Sequence, residues 1–257
     1  MAKIHQTAII DPKAKIADSV EIGAYSVIGP NVTIGNGTII KEHVVIDGNT
    51  TIGANNTFFP MSSIGQISQD LKYNGGVCYI EIGDNNTFRE FITVNAATAA
   101  GDKTVIGNNN HILAYCHIAH DCILGNNIIM SNLATLAGHV TIEDSVVIGG
   151  MGGIHQFCRI GTMGMVGACT KVTMDVVPYT IVDGNPASCP GLNVVKLTRS
   201  GYSMETVNVI KEIYKIIFRK QLKLSEAIDS IKTEYPNFEE AKMIVNFLEK
   251  SERGITR

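Results

Sequence analysis

Four histidines carry the clearest chemical signal in this chain. His117 and His120 lie in the segment CHIAHDC, His139 in LAGHV and His155 in GGIHQFC, and Asp121 directly follows His120. Imidazole titrates near neutral pH, so it serves both as a general base and as a metal ligand. These residues therefore predict acid–base catalysis or a metal site, provided that the fold brings them together.

A six-residue repeat is the element that must position them. Steps of six residues from Ile4 to Val172 give 29 positions, and 26 of these are Ile, Leu, Val, Met or Phe. This period fits neither an α-helix nor an alternating strand, and it is typical of a parallel β-helix with a triangular coil of about 18 residues. Gly or Asn/Asp often follows the apolar position, and we expect these residues to adopt positive φ at the corners.

Stacked coils of this length bring the histidine motifs onto one wall. Gly138 lies one coil after His120, and His139 lies one coil after Asp121, while His155 is displaced by two residues on the next coil. In one interpretation His120 is a general base, Asp121 orients its ring, and the Gly138 N–H stabilises an oxyanion.

The second interpretation is a metal site. His117 and His120, with two residues between them, would bind Zn²⁺ together with a third histidine, as in parallel β-helices that resemble the gamma-class carbonic anhydrases. No cysteine has the spacing of a metal ligand in these segments. Cys116, Cys122 and Cys158 occupy the small inward position of the repeat, and we expect them to fill the core.

Composition excludes several classes of protein. The net charge of −3 does not suit a generally basic nucleic-acid binder. No apolar run approaches the roughly 18 residues of a membrane span, and six cysteines without CxxC pairs do not suggest a disulfide scaffold. We therefore expect a cytoplasmic protein with reduced thiols that binds no nucleic acid.

Breaks in the repeat predict two external loops and a second domain. The three exceptions to the apolar pattern, Asp70, Gly76 and Ala100, fall in ISQDLKYNGGVCYIE and VNAATAAGDKTV. After Val172, VVPYTIVDGNPASCPGLN is expected to be a linker, and three segments beginning near Ser203 have helical patterning. We predict a β-helix domain over residues 1–189 and an α-helical domain over 190–257. The first holds 9 basic and 15 acidic residues, and the second holds 12 and 9.

Several motifs in this order resemble the UDP-N-acetylglucosamine acyltransferase family, which catalyses the first step of lipid A biosynthesis. They are QDLKY (69–73), IAHDC (118–122), NLATLAGHV (132–140), IGGMGGIHQFCRIG (148–161), VPYTIVDGNPA (177–187) and GLN (191–193). The resemblance covers the chain essentially end to end. It implies an all-β left-handed parallel β-helix of hexapeptide repeats with a C-terminal α-helical domain, assembled as a homotrimer with active sites between subunits.

The resemblance also implies substrates and residue roles. The donor would be an (R)-3-hydroxyacyl group on acyl carrier protein, the acceptor the 3-hydroxyl of UDP-N-acetylglucosamine, and no cofactor or metal would be needed. His120 would be the base, Asp121 its orienting partner and the Gly138 N–H the oxyanion donor. Contacts to sugar or acyl chain would fall on Gln69, Asp70, Lys72, His117, His139 and Gln156. Contacts to uridine and phosphate would fall on Asn193 and Arg199.

Three departures from the family pattern affect the substrates that we expect. Asn95 and Ala96 stand where familiar members have His and Arg, so a 3-amino sugar becomes a possible acceptor. Arg199 is followed by Ser200 instead of a second Arg, which removes one phosphate contact. In the acyl-chain groove, formed by Met165 and the residues after it, Ala168 replaces Gly, which would shorten the preferred acyl chain.

Three alternatives remain open at this point. The sister UDP-3-O-acylglucosamine N-acyltransferase usually carries an extra N-terminal domain, whereas here the repeat begins at residue 4. A metal-dependent enzyme resembling carbonic anhydrase would use the histidines as ligands. A purely structural rod would explain the repeat, although it would not explain two loops and four stacked imidazoles.

Overall fold

The chain forms a left-handed parallel β-helix that is followed by four α-helices. A computed structural model describes all 257 residues. Short strands, mostly of two residues, alternate with tight corners through the β-helix, and every strand pair except the last is parallel. The fold class predicted from the repeat and the resemblance is confirmed.

Three sheets form the walls of the triangular prism. The first contains β1 (Lys3–Ile4), β4 (Glu21–Ile22), β7 (Ile39–Ile40), β10 (Thr57–Phe58), β13 (Thr87–Phe88), β16 (His111–Ile112), β19 (Ile129–Met130), β22 (Val147–Ile148), β25 (Met165–Val166), β27 (Thr180–Asp183) and β28 (Ser188–Leu192). The second contains β2 (Ile9–Ile10), β5 (Val27–Ile28), β8 (Val45–Ile46), β11 (Ser63–Gln66), β14 (Thr93–Asn95), β17 (His117–Ile118), β20 (Thr135–Leu136), β23 (Gly153–Ile154) and β26 (Lys171–Val172). The third contains β3 (Lys15–Ile16), β6 (Thr33–Ile34), β9 (Asn49–Ile52), β12 (Tyr79–Ile82), β15 (Lys103–Ile106), β18 (Ile123–Leu124), β21 (Thr141–Ile142) and β24 (Arg159–Ile160).

The register between coils shows that the six-residue pattern keeps its phase after each of the two loops. Ile22 pairs with Ile40, eighteen residues later, whereas Phe58 pairs with Phe88, thirty residues later, and Phe88 with Ile112, twenty-four later. The loops over 67–78 and 96–102 therefore insert twelve and six residues, and both are multiples of the repeat. Asp70, Gly76 and Ala100 all lie in these loops, which confirms that the breaks in the repeat mark loops.

The prism interior holds one large and one small side chain from each face. The apolar repeat position is almost completely buried, as at Ile46 and Ile118, and the small residue two positions earlier is buried beside it. Phe58 and Phe88 stack with ring centroids 4.7 Å apart. Cys122 is fully buried, as predicted, and burial raises the pKa of its thiol to about 12, so it is a core residue and not a nucleophile.

The expected reason for the corner glycines, a positive φ, holds at Gly65 and is wrong for the others. Positive φ occurs three residues after the buried apolar position, for example at Asn55 and Tyr115, and not at Gly23 or Gly35. A Cβ on Gly35 would lie 2.6 Å from the backbone of Gly53 in the next coil. These glycines are required because adjacent coils approach too closely for a side chain.

The C-terminal region is helical, as predicted. Its helices are α1 (Val194–Arg199), α2 (Met204–Phe218), α3 (Leu224–Glu234) and α4 (Glu239–Glu249). Ser203 caps α2, as expected, by accepting a hydrogen bond from the Thr206 N–H. The short helix α1 was not predicted. The segment expected to be a linker instead contains β27 and β28, which pair antiparallel, so a hairpin closes this end of the first sheet.

The C-terminal tail returns to the last coil and binds it through Asp175. The Asp175 carboxylate accepts hydrogen bonds from the Arg159 N–H at 2.8 Å and the Ser251 hydroxyl at 2.7 Å, and its backbone pairs with Gly254. Burial raises the pKa of this carboxyl group. The domain boundary proposed after residue 189 falls within β28 and stays a prediction. None of the helices is both long and apolar enough to cross a membrane.

The close approach of the coils leads to a stability prediction. Gly35→Ala should lower the free energy of unfolding by about 1–3 kcal/mol, because the added methyl group meets rigid backbone. Gly191→Ala is the matched control, since no atom lies within 4 Å of its Cβ position, and it should change stability by no more than about 0.5 kcal/mol. Urea unfolding of both variants measures the difference, and equal midpoints would contradict this account of the corner.

Candidate active site

One corner of the β-helix positions the central histidines. His120 and Asp121 follow β17, and His139 follows β20 one coil later. Asp121 has φ of 60° and His139 has φ of 59°. The same left-handed corner recurs on successive coils, so side chains at equivalent positions stack above one another. The predicted juxtaposition of His120 with Gly138, and of Asp121 with His139, is confirmed.

His120 and Asp121 form a tightly bonded pair. The distance from His120 Nδ1 to Asp121 Oδ2 is 2.8 Å, and only 12% and 8% of the two side chains are exposed. Because an ionised carboxylate can only accept, the hydrogen in this bond belongs to Nδ1. The other ring nitrogen, Nε2, then carries a free lone pair and can accept a proton.

Two threonines that the sequence did not single out hold this pair in place. The Thr98 N–H donates to both carboxylate oxygens of Asp121, at 3.2 and 3.4 Å, and Thr98 Oγ1 lies 3.0 Å from His120 Nδ1. The backbone N–H of Asp121 donates to Thr104 Oγ1 at 2.9 Å. Thr98 lies within the second loop, so coil arithmetic from the sequence does not place it, whereas Thr104 follows that loop and lies about one coil before Asp121.

Gly138 gives the His120 ring its space. A Cβ at this position would lie 2.5 Å from His120 Nε2, so any side chain would displace the ring. The Gly138 N–H donates no hydrogen bond within the chain. A free backbone donor thus lies next to the nitrogen that can accept a proton, which is the arrangement required where a negatively charged oxygen develops.

His139 extends the site towards solvent. Its Nε2 lies 3.5 Å from Asp121 Oδ2, and 39% of its side chain is exposed. The ring stacks on Phe157 with centroids 4.6 Å apart, and Phe157 is a neighbour that sequence reasoning did not single out. His120, Asp121 and His139 bring three potential metal ligands within 4.8 Å of one another, so these three residues could together hold a cation.

His117 lies on the same wall but has a different environment. Its Nδ1 lies 2.7 Å from Thr93 Oγ1 on the preceding coil. Burial and the nearby His120 both lower the pKa of His117. His117 is therefore neutral at pH 7 and suited to hydrogen bonding with an uncharged ligand group.

A cleft of about 390 Å³ opens in front of these groups. It is lined by Asp70, Lys72, Asn74, Thr98, Ala99, Ala100, Asp102, Asp121, His139, Gln156 and Phe157. Four residues predicted from the family pattern, Asp70, Lys72, His139 and Gln156, thus meet at one cleft. Both external loops contribute to it, as expected for segments that leave a rigid scaffold.

The remaining predicted residues lie outside this cleft. Gln69 is exposed on the first loop, and Asn95 is buried, with its Nδ2 donating to the Ile67 carbonyl at 2.7 Å. His155 is exposed and bonds to the carbonyl of Gln156. These three residues have no contact with His120 within the chain.

Four more predicted residues lie beyond the His120 corner. Asn193 caps α1 through its Oδ1, and its Nδ2 donates to Met163. Arg199 is exposed at the end of α1, Met165 lies in β25, and Ala168 is exposed at the following corner. Any role for these residues in ligand binding stays a prediction.

Two family models match parts of this chain, and curated relatives match its whole length. Residues 175–256 match the family model described as UDP-N-acetylglucosamine O-acyltransferase, domain 2. Residues 1–36 and 103–138 match the bacterial transferase hexapeptide model. The acyl-(acyl-carrier-protein)–UDP-N-acetylglucosamine O-acyltransferase of Thermodesulfovibrio yellowstonii is 52% identical, and the match covers 100% of both chains.

Solved structures agree with the sequence matches. The UDP-N-acetylglucosamine O-acyltransferase of Moraxella catarrhalis is 40% identical with a TM-score of 0.96, and the match covers 99% of each chain. The corresponding acyltransferase of Arabidopsis is 32% identical with a TM-score of 0.87, over 99% of this chain and 100% of that one. Since identity of this level extends over the whole length, the chain belongs to the UDP-N-acetylglucosamine O-acyltransferase family.

Proposed function

We propose that this protein transfers an (R)-3-hydroxyacyl group from acyl carrier protein to the 3-position of the glucosamine ring of UDP-N-acetylglucosamine, the first step of lipid A biosynthesis. The observation that carries the proposal is the bonded His120–Asp121 pair beside the free Gly138 N–H. A base and an adjacent oxyanion donor, next to a cleft that Asp121 and His139 line, suit acyl transfer to a hydroxyl group. The substrates follow from the names of the relatives at full length.

In the proposed reaction, His120 Nε2 removes the proton of the acceptor hydroxyl as its oxygen attacks the thioester carbonyl. The Gly138 N–H donates to the carbonyl oxygen as negative charge develops on it. Asp121 holds the Nδ1–H tautomer of His120 and stabilises the imidazolium that forms. Collapse of the tetrahedral intermediate expels the carrier thiolate, and the imidazolium returns its proton to that thiolate.

The residues around the cleft would bind the two substrates. Asp70 and Lys72 on the first loop, with His139 and Gln156 on the opposite side, offer donors and acceptors to the sugar. Neutral His117 and the exposed Gln69 are further candidates. Asn193 and Arg199 would contact uridine and phosphate, and Met165 and Ala168 would line the acyl chain. These assignments come from the family pattern.

A homotrimer would complete the site, since the resemblance implies clefts shared between neighbouring subunits. One corner of the β-helix carries large apolar side chains that are 46–61% exposed, and a continuous exposed apolar surface of this kind is typical of an interface. They are Tyr25, Met61, Phe91, Tyr115, Leu133 and Met151. The corner on another edge carries Asn55, Asn85, Asn109 and Asn127 instead. This asymmetry supports packing of the apolar edge against a second copy. A cytoplasmic location stays a prediction.

Removal of the base tests the proposal directly. His120→Ala should lower kcat by about 10²- to 10⁴-fold, the usual contribution of a general base. Asp121→Asn should lower kcat by a smaller factor, because it alters the orientation and tautomer of His120 without removing the imidazole. Steady-state assays with acyl carrier protein thioesters and UDP-N-acetylglucosamine measure both effects, and wild-type kcat in His120→Ala would exclude the assignment.

The three-ligand cluster makes a metal-dependent reaction the second candidate. The same assay distinguishes the two functions after exhaustive chelation. Under the proposed mechanism the chelated enzyme keeps full activity, whereas recovery only on adding Zn²⁺ would favour the metal site.

The carrier protein should dock on the basic helical region. A groove of about 650 Å³ there is lined by Leu192, Val194, Lys211, Glu212, Tyr214, Lys215, Arg219 and Lys220. Acyl carrier proteins are acidic, and complementary charge steers such encounters. The double variant Arg219→Glu/Lys220→Glu should raise the KM for the acyl donor about tenfold at low salt. The double variant Lys13→Glu/Lys15→Glu, at exposed positions on the far coils, is the charge-matched control, and a KM that is independent of salt and of these charges would contradict docking here.

Asn95 should influence the choice of acceptor. Its side chain bonds to the start of the loop that carries Asp70 and Lys72. The neighbouring Ala96 stands where familiar members have Arg, so no cation at this position repels a protonated amine. We expect the enzyme to accept the 3-amino analogue, and Asn95→His to shift the ratio of kcat/KM values about tenfold towards the hydroxyl sugar. Competition between the two sugars measures the ratio, with the exposed Asn127→His as control. An unchanged ratio in Asn95→His would defeat the prediction.

A further inference from the structure

A chain of hydroxyl groups links the first external loop to the catalytic pair. Ser68 Oγ lies 2.7 Å from Thr98 Oγ1, and Thr98 Oγ1 lies 3.0 Å from His120 Nδ1. The Asp70 N–H donates to Ser68 Oγ at 3.1 Å. Ser68 is only 6% exposed, so water does not readily substitute for its contacts.

The direction of these hydrogen bonds either supports or opposes the Nδ1–H tautomer of His120 that the bond to Asp121 requires. If the Thr98 hydroxyl donates to Nδ1, that nitrogen is the acceptor and Nε2 carries the hydrogen, so His120 cannot act as a base. If the Thr98 hydroxyl donates to Ser68 instead, its oxygen can accept from Nδ1–H together with Asp121. Only the second arrangement leaves Nε2 unprotonated.

We propose that Ser68 and Thr98 are positioning residues that fix the productive tautomer of His120, with Ser68 receiving the Thr98 hydroxyl hydrogen. This inference rests on the proposed role of His120 as the base. Thr98 acts on both members of the pair, since its N–H also bonds the Asp121 carboxylate. Ser68 acts through Thr98 and has no contact of its own with His120.

The arrangement also couples the base to the loop that lines the cleft. Ser68 precedes Asp70 and Lys72, and the Asp70 backbone is part of the chain of hydrogen bonds. A displaced first loop would remove the acceptor for the Thr98 hydroxyl and permit the wrong tautomer. The order of the first loop thus becomes a condition for an active base.

Three substitutions test the proposal in the intact protein. Thr98→Val keeps the shape and the N–H but removes the hydroxyl, and it should lower kcat about tenfold with little change in the KM for the sugar nucleotide. Thr98→Ser should recover kcat to within about twofold to threefold, because the hydroxyl returns. Ser68→Ala should also lower kcat, although Ser68 bonds to Thr98 and not to His120 or Asp121. Thr51→Val, at an exposed threonine of β9 whose side chain makes no hydrogen bond, should match the wild type.

Two measurements distinguish a positioning role from a purely structural one. They are the kcat of the double variant and the tautomer of His120. Ser68→Ala should have no further effect on kcat in the Thr98→Val background, because the two residues act in series. In ¹⁵N-histidine spectra, Ser68→Ala should shift His120 towards the Nε2–H tautomer. Additive losses, or an unchanged tautomer together with wild-type kcat in Ser68→Ala, would overturn the proposal.

His120→Ala separates failure of this proposal from failure of the proposed function. Wild-type kcat in His120→Ala would overturn the base and, with it, the positioning roles. Loss of activity in His120→Ala combined with wild-type kcat in Thr98→Val and Ser68→Ala would overturn the positioning roles alone. Thermal unfolding of each variant identifies any loss of kcat that comes from a damaged fold.

Discussion

In-register stacking of successive coils is the constraint on which the rest of this structure depends. Backbone hydrogen bonds join each coil to the next, as from the Gly35 N–H to the Ile52 carbonyl, so equivalent residues of neighbouring coils must align. Apolar side chains then stack in continuous columns inside the prism, and the buried Asn56, Asn86 and Asn110 form a stacked column of their own. A shift of register would move core residues to the surface, so each external loop must return the chain to the stack in register.

The corners place functional side chains at regular positions along the β-helix. Every non-glycine residue with positive φ in the β-helix has an unbranched Cβ, because Val, Ile and Thr are strained in that conformation. Asp121, His139 and Phe157 occupy three such corners in succession, and this places a carboxylate, an imidazole and an aromatic ring in one column. The scaffold thereby fixes the spacing of the functional groups, while the loops supply the residues that complete their hydrogen bonds.

The helical region depends on the same stack for its attachment. Val177 and Tyr179, at the end of the β-helix, belong to the apolar cluster of the helices. The C-terminal tail bonds to the last coil at Asp175, and Arg253 donates to the Thr173 carbonyl. These contacts cover the end of the prism, where an unpaired sheet edge would otherwise be open to association. They also hold the basic helices on a β-helix of net negative charge.

The sequence by itself determined every feature that depends on a fixed period. The buried positions, the two loops and the stacking of Gly138 against His120 follow from a coil of constant length, and the helices after Ser203 follow from the period of helical patterning. Features that depend on variable loop geometry needed the tertiary structure. Ser68 and Thr98 come from different loops, and the chain of hydrogen bonds from Ser68 through Thr98 to His120 depends on the path of those loops. The steric reason for the corner glycines also required the tertiary structure, because the residues of one coil do not show how closely the next coil approaches. Local spacing therefore decided the scaffold, and packing between segments far apart in sequence decided which hydrogen bonds surround the base.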